Sequence, residues 1–400
     1  VSIGIKRSCV FLAFFWVIPF SVRADETPPA ADPEQKLALT LQSSISQSDI
    51  PTAQGLMDTD ALFQLLSKGV EASPEFVTGF KKGFSGQSQA FMSAIAKAAG
   101  PDGYHFLRIQ HLGGETHILF RLATDAGVNY HDWIVGKDAS GKLRLDDVYV
   151  ALSGERMSQT LHRLYLQAAL QANPGLLDRL TGRDKQMGHD LNGLLQLMQD
   201  NQNQNFDAVL SDYKNLSPAM QQEKCCLVVR LAAAERLRDQ VPAEYSNAMV
   251  DYKRLFPNDP AIDLATTDLL LEQKKFAEAR AAIDRIDAMV GGDPYLNILR
   301  GGVYKQEGGA VNLQRAKKYF QRAVDEEPTL ADGYWSEVTL SLDTHQYEDT
   351  AYWLTQIEQK LQLHINDLAK FQEYSGFVKS AAYKKWMATR AESDAATTKP

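Results

Sequence analysis

The spacing of apolar positions changes period along the chain. Behind Asp58-Thr59-Asp60, Leu62, Phe63, Leu65, Leu66 and Val70 recur at helical spacing, and the short polar side chains before them suit an N-cap. The same periodicity predicts helices over 74–84 and 87–98, closed by the turn sequence at 100–103. Residues 104–111 then switch to period two, the mark of a strand. Further strands follow over 117–124, 128–135 and 143–152, separated by Gly113-Gly114, Gly127 and Ser140-Gly141. This order predicts an α+β domain: three helices, then a four-stranded antiparallel sheet that needs the helices to cover one face. From residue 158 the period returns to helix, with Leu161, Leu164, Tyr165, Ala168 and Ala169 on one stripe. Shorter helical pieces follow at 174–180 and 191–198, and the polar run 199–205 predicts a loop.

Beyond residue 206 the pattern repeats. Gly301, Tyr304 and Gly308 mark a helix and its turn. Ala316, Phe320, Ala323 and Pro328 mark a second helix, at offsets of four, three and five. Small residues belong where helices cross, the aromatic fills the seam, and proline stops the helix. Similar offsets recur at Ala248, Tyr252, Leu255 and Pro260, and at Ala279, Ile283 and Ile286. In the last pair Thr350, Leu354 and Ile357 take these places. The spacing resembles the tetratricopeptide (TPR) repeat, which implies an all-α, TPR-like solenoid binding a protein or peptide partner. Residues 371–387 are expected to cap it. The α+β segment over 55–155 is similar in topology to the NTF2-like fold. The whole resembles exported bacterial proteins that join an α+β domain to TPR-like repeats.

Charge and composition narrow the picture. The formal net charge of −8 speaks against nucleic acid as a partner. At the N-terminus, Lys6 and Arg7 precede an apolar run over 9–20, and Val22-Arg23-Ala24 supplies small residues around a cleavage site. This reads as a signal peptide over 1–24, hence a periplasmic or secreted protein with no stable membrane insertion after cleavage. The alternative is an uncleaved anchor. As a helix the run would reach only about 21 Å, short of a ~30 Å hydrocarbon core. The expected organisation is then a disordered linker over 25–54, the α+β domain over 55–157 and a helical connector over 158–205. The repeats and their cap occupy 206–388, and a disordered tail 389–400. Cys225 and Cys226 stand side by side where a helix is expected, and read as two buried thiols rather than a redox pair.

Catalytic signatures are missing. The chain has no G-x-S-x-G, phosphate-loop or H-E-x-x-H sequence, and no spacing that selects a metal. No catalytic residue, metal or cofactor is therefore expected. The strands do collect His105, His111, His117 and His131. A candidate pocket comprises His131, Asp147 and Tyr149, with Asp132 beside them, since a histidine oriented by a carboxylate can move a proton near neutral pH. Tyr334 and Trp335 form a candidate interaction surface, with Tyr334 at a core position of the repeat and Trp335 more exposed. Two functions follow: a non-enzymatic interaction scaffold, or a small-molecule-binding or enzymatic sheet domain with the repeats as a docking platform.

Overall fold

A computed structural model describes residues 32–397 apart from 101–102, 125–126 and 258. The signal segment, its cleavage site and residues 25–31 lie outside the described residues. The chain forms two compact units divided between Ala265 and Thr266.

The first unit begins with helices α1 (Pro33–Ser46), α2 (Ile50–Gly55), α3 (Thr59–Ser67) and α4 (Pro74–Ala99). Residues 33–54, expected as a disordered linker, are therefore helical. Leu37, Leu41 and Ile45 form a buried stripe on α1, and Ser43 and Ser44 donate back to the Thr40 carbonyl at 3.1 and 2.8 Å. Local bonding lets these serines sit in the helix. Asp58 caps α3, accepting from the backbone N–H of Asp60 and Ala61. The two helices expected over 74–98 are one. Gly79, Gly83 and Gly86 each weaken a helix by about 1 kcal/mol relative to alanine. Packing outweighs them: Phe84, Met92 and Ile95 are buried, and Phe80 meets Tyr165 ring to ring at 4.9 Å.

The sheet follows as β1 (Tyr104–Leu112), β2 (Glu115–Thr124), β3 (Gly127–Lys137), β4 (Leu143–Val150) and β5 (Glu155–Arg156), in sequential antiparallel order. It has five strands, one more than expected. The two-residue β5 is too short to show a periodicity, and it pairs Arg156 with Tyr149. Gly113 and Gly114 both have positive φ, 59° and 87°, which suits a two-residue hairpin. Ile118, Phe120, Trp133 and Val148 share one fully buried face, packed beneath α4 through Phe91.

Helices α5 (Met157–Ala172), α6 (Gly182–Gln202), α7 (Phe206–Asn215), α8 (Lys224–Arg236) and α9 (Pro242–Leu255) complete this unit. The division falls inside α10 (Pro260–Glu272). The polar run at 199–205, expected as a loop, is helical as far as Gln202. Asp200 is buried there and accepts from Gln196 and Asn205 at 2.6 and 3.3 Å.

The second unit holds α11 (Phe276–Val290), α12 (Pro294–Glu307), α13 (Ala310–Glu326), α14 (Ala331–Asp343) and α15 (Tyr347–Lys360), each packed on the next, with α12 also touching α14. Gly301 lies against the Phe320 ring so closely that a Cβ would collide with it, and a Cβ on Gly333 would meet Val324. Ala316, Phe320 and Ala323 are buried at these crossings. Gly301→Ala is expected to cost about 1–3 kcal/mol by overpacking. Adding Phe320→Leu should recover part of that loss, and denaturant titration of the single and double variants measures both.

The expected single cap helix over 371–387 is broken. Two 3₁₀ turns precede α16 (Ser375–Val378) and α17 (Ala381–Thr397). Part of the tail expected to be disordered, 389–397, is thus helical. Phe377 and Trp386 join Trp353, Leu354 and Ile357 in one core cluster. Among the described residues no helix is long and apolar enough to cross a membrane.

Candidate functional sites

The strand register separates the residues of the expected pocket. His131 pairs with Phe120 and Val150 and lies on the face beneath α4, with Trp133. Asp147 and Tyr149 pair with Ile134 and Asp132 on the opposite face. The three side chains therefore cannot converge.

Each has a different setting. His131 is buried 3.3 Å from the Tyr104 hydroxyl, which also accepts from Trp133 Nε1 at 2.7 Å. Burial pushes its pKa down to about 4, so the ring is neutral at pH 7. Asp147 is wholly buried and accepts from the Ser158 backbone N–H at 3.0 Å, the Ser158 hydroxyl at 2.5 Å and the Val148 N–H at 2.9 Å. Its carboxylate thus serves the first turn of α5 as a cap supplied from the sheet. Asp147→Ala is expected to cost about 2 kcal/mol by stranding those donors, read as a lowered midpoint in denaturant. Tyr149 is half-buried, and burial raises its pKa, with Asp259, Asp132 and Glu155 adding to the effect.

A second polar group occupies the face of Asp132. His117 Nδ1 lies 2.8 Å from Asp132 Oδ2, and Arg156 donates to Glu115 at 3.2 Å. Burial raises the Asp132 pKa, and His117 opposes the rise. Sequence reasoning named both residues separately but not their pairing, because register is not legible from one strand. His111 is exposed beside Thr116.

A cleft of about 480 Å³ lies between the β4–β5 turn, α5 and the start of α8. Gly154, Gln159, Arg183, Lys224, Cys225 and Phe256 contribute to its wall. Lys224 donates to the Gly154 carbonyl at 2.8 Å and is bonded to Asp259. Arg183 holds Glu223, and Arg163 holds Glu155 at 2.9 Å. These cations are already neutralised. Cys225 and Cys226 are buried free thiols 3.9 Å apart. Among the described residues no cluster of His, Cys, Asp or Glu could hold a metal ion.

In the second unit Tyr334 is buried, its hydroxyl donating to the Pro328 carbonyl at 2.9 Å, so it offers no surface. Trp335, expected to be exposed, is half-buried against the C-terminal core cluster. The sequence reading missed a stack across α11, α12 and α13. Tyr304 lies parallel to Tyr319 at 5.6 Å, with the Arg280 and Arg315 guanidinium groups 4.6 and 5.5 Å from its ring centre. No spacing rule joins these four positions.

No protein-family model matches the chain, and no curated protein matches it. Among solved structures, the chain is similar to one described as "Crystal structure of PilW, widely conserved type IV pilus biogenesis factor", at 14% sequence identity and a TM-score of 0.35, covering 48% of this chain and 88% of that one. A likeness at that level assigns neither fold family nor function.

Proposed function

We propose that the helical unit starting at residue 266 is a TPR-like solenoid that binds a protein or peptide, and that the chain is an exported, non-enzymatic interaction scaffold. One observation carries this reading. Within this unit the second helices of successive pairs begin at Phe276, Ala310 and Tyr347, 34 and 37 residues apart, close to the ~34-residue TPR period. Within the second unit each helix packs on its sequence neighbours, so the pairs leave a long outer surface. The sheet region is read as NTF2-like, and the location as periplasmic or secreted.

The test is photo-crosslinking of the full-length chain in its source cells. A crosslinking side chain replaces the exposed Val311 or Tyr352 in the helical unit, and the exposed Leu112 in the sheet. Discrete protein adducts at the first two positions and none at the third are expected. Adducts at Leu112 alone would overturn the reading. The cleft beside Lys224 supports a second reading, a small-molecule site with the repeats as a platform. Its paired cations favour the scaffold, since a ligand would have to displace existing partners.

A further inference from the structure

The cleft beside Lys224 holds two groups that its ion pairs leave unused, the thiols of Cys225 and Cys226. They are the second and third residues of α8. Neighbours on a helix normally diverge by about 100°, yet these Sγ atoms stand 3.9 Å apart and share a hydrogen bond. The two differ in access. Cys225 is 8% exposed and forms part of the cleft wall, whereas Cys226 is wholly buried. They also differ in charge. The hydrogen bond from Cys226 draws the Cys225 pKa below that of an ordinary thiol, and Arg163 adds to the effect, while burial, Glu155 and Glu223 oppose it. The same bond, together with burial, pushes Cys226 up. Arg163 is buried and fixed in place, its guanidinium donating to both oxygens of Glu155 at 2.9 and 2.5 Å. Glu223, the N-cap residue of α8, makes no side-chain cap, and the positive end of the helix favours a thiolate in its first turn.

We propose that this thiol pair is a modification site, in which Cys225 takes up one half of a small polar disulfide and keeps it as a mixed disulfide, with Cys226 as the positioning residue that donates to its sulfur. The step balances simply. Cys225 gives its proton to solvent and its sulfur bonds one sulfur of the disulfide. The S–S bond of the disulfide breaks, and the other half leaves as a thiolate that takes up a proton. The cleft, at about 480 Å³, has the volume of a small-molecule site, and the side-chain amides of Gln159 and Gln222 in its wall suit a peptide-like thiol. Covalent capture also leaves the pairs Lys224–Asp259, Arg183–Glu223 and Arg163–Glu155 intact, so no partner has to be displaced. Cys226 does not release the adduct. Its Cα is about 3.8 Å from that of Cys225, below the ~4.4–6.8 Å that disulfides prefer. A bond between the two would break the first turn of α8.

The experiment treats the full-length chain, carrying Cys9→Ser so that the pair holds its only thiols, with glutathione disulfide under native conditions. Intact mass and peptide mapping read the product. One glutathionyl group per chain, on Cys225, is expected. No adduct, an adduct on Cys226, or equal modification of both thiols, as global unfolding would give, overturns the proposal. So does a chain lighter by two hydrogen atoms, the mark of a bond between the two cysteines. The rate of adduct formation is then followed against pH. Cys226→Ala is expected to move the profile to higher pH, and Cys226→Ser, which keeps a donor, to leave it near that of the parent. A profile that neither variant moves, or that both move equally, overturns the activation of Cys225 by Cys226. The scaffold reading stands or falls separately, by the crosslinking pattern at Val311 and Tyr352, which involves neither thiol.

Discussion

Replacing Glu337 by glutamine is expected to stabilise the helical unit by about 4 kcal/mol at pH 8 and by almost nothing at pH 4. Glu337 sits on α14 almost wholly buried, and its Oε1 has no hydrogen-bond partner among the described residues. Lys317 and Asp349, bonded to each other at 2.6 Å, are the charges that act on it, with opposite signs. Burial is the dominant cause and pushes the carboxyl up to about 8 from 4.5. A raised folded pKa means that the unfolded chain ionises first. The contribution of Glu337 is therefore intact below about pH 4.5 and lost as pH rises through 8. Glutamine keeps the shape and removes the charge, so the variant-minus-parent difference should climb with pH. Denaturant titrations at pH 4, 6 and 8 measure that climb. A flat difference would mean that Glu337 is solvated or paired in the folded state.

The second large effect has the opposite sign in pH. His131 titrates at about 4 in the folded chain, against 6.5 for an ordinary histidine. The unfolded chain takes up the proton first, so stability is full above about pH 6.5 and falls as pH drops toward 4. The loss amounts to about 3 kcal/mol. His131→Gln cannot titrate. It should lower stability at pH 7 through the lost contact with Tyr104, yet lose less on acidification, so its deficit shrinks by about 3 kcal/mol between pH 7 and pH 4. An imidazole resonance of His131 moving near pH 6.5 in the native protein would contradict this.

Both effects show where sequence reasoning reached its limit. The order of helices, strands and helical pairs was legible because each follows from local period. Phe320 between the small Ala316 and Ala323, and Asp58 as a cap, were legible for the same reason. The pocket of His131, Asp147 and Tyr149 was not, since it needed the register of three strands. A one-residue difference in parity places His131 beneath α4 and the other two on the far face. The partner of Asp147 is Ser158, eleven residues on and in another element. Glu337 was passed over because a lone glutamate in a helix usually faces water. The long helix α4 defeated propensity, with aromatic packing against Tyr165 outweighing three glycines. Turn geometry also escaped. Gln204, Lys274 and His345 each adopt φ of 56–59° two residues before Phe206, Phe276 and Tyr347, a shared bend with no glycine to announce it.

The scaffold claim is tested most directly by hydrogen–deuterium exchange on the full-length chain, with and without the protein identified by crosslinking. Slowed exchange over residues 294–390, with the sheet and the cleft beside Lys224 unchanged, is the predicted result. Protection confined to residues 104–159 and 219–225, with the helical pairs exchanging as before, would contradict it.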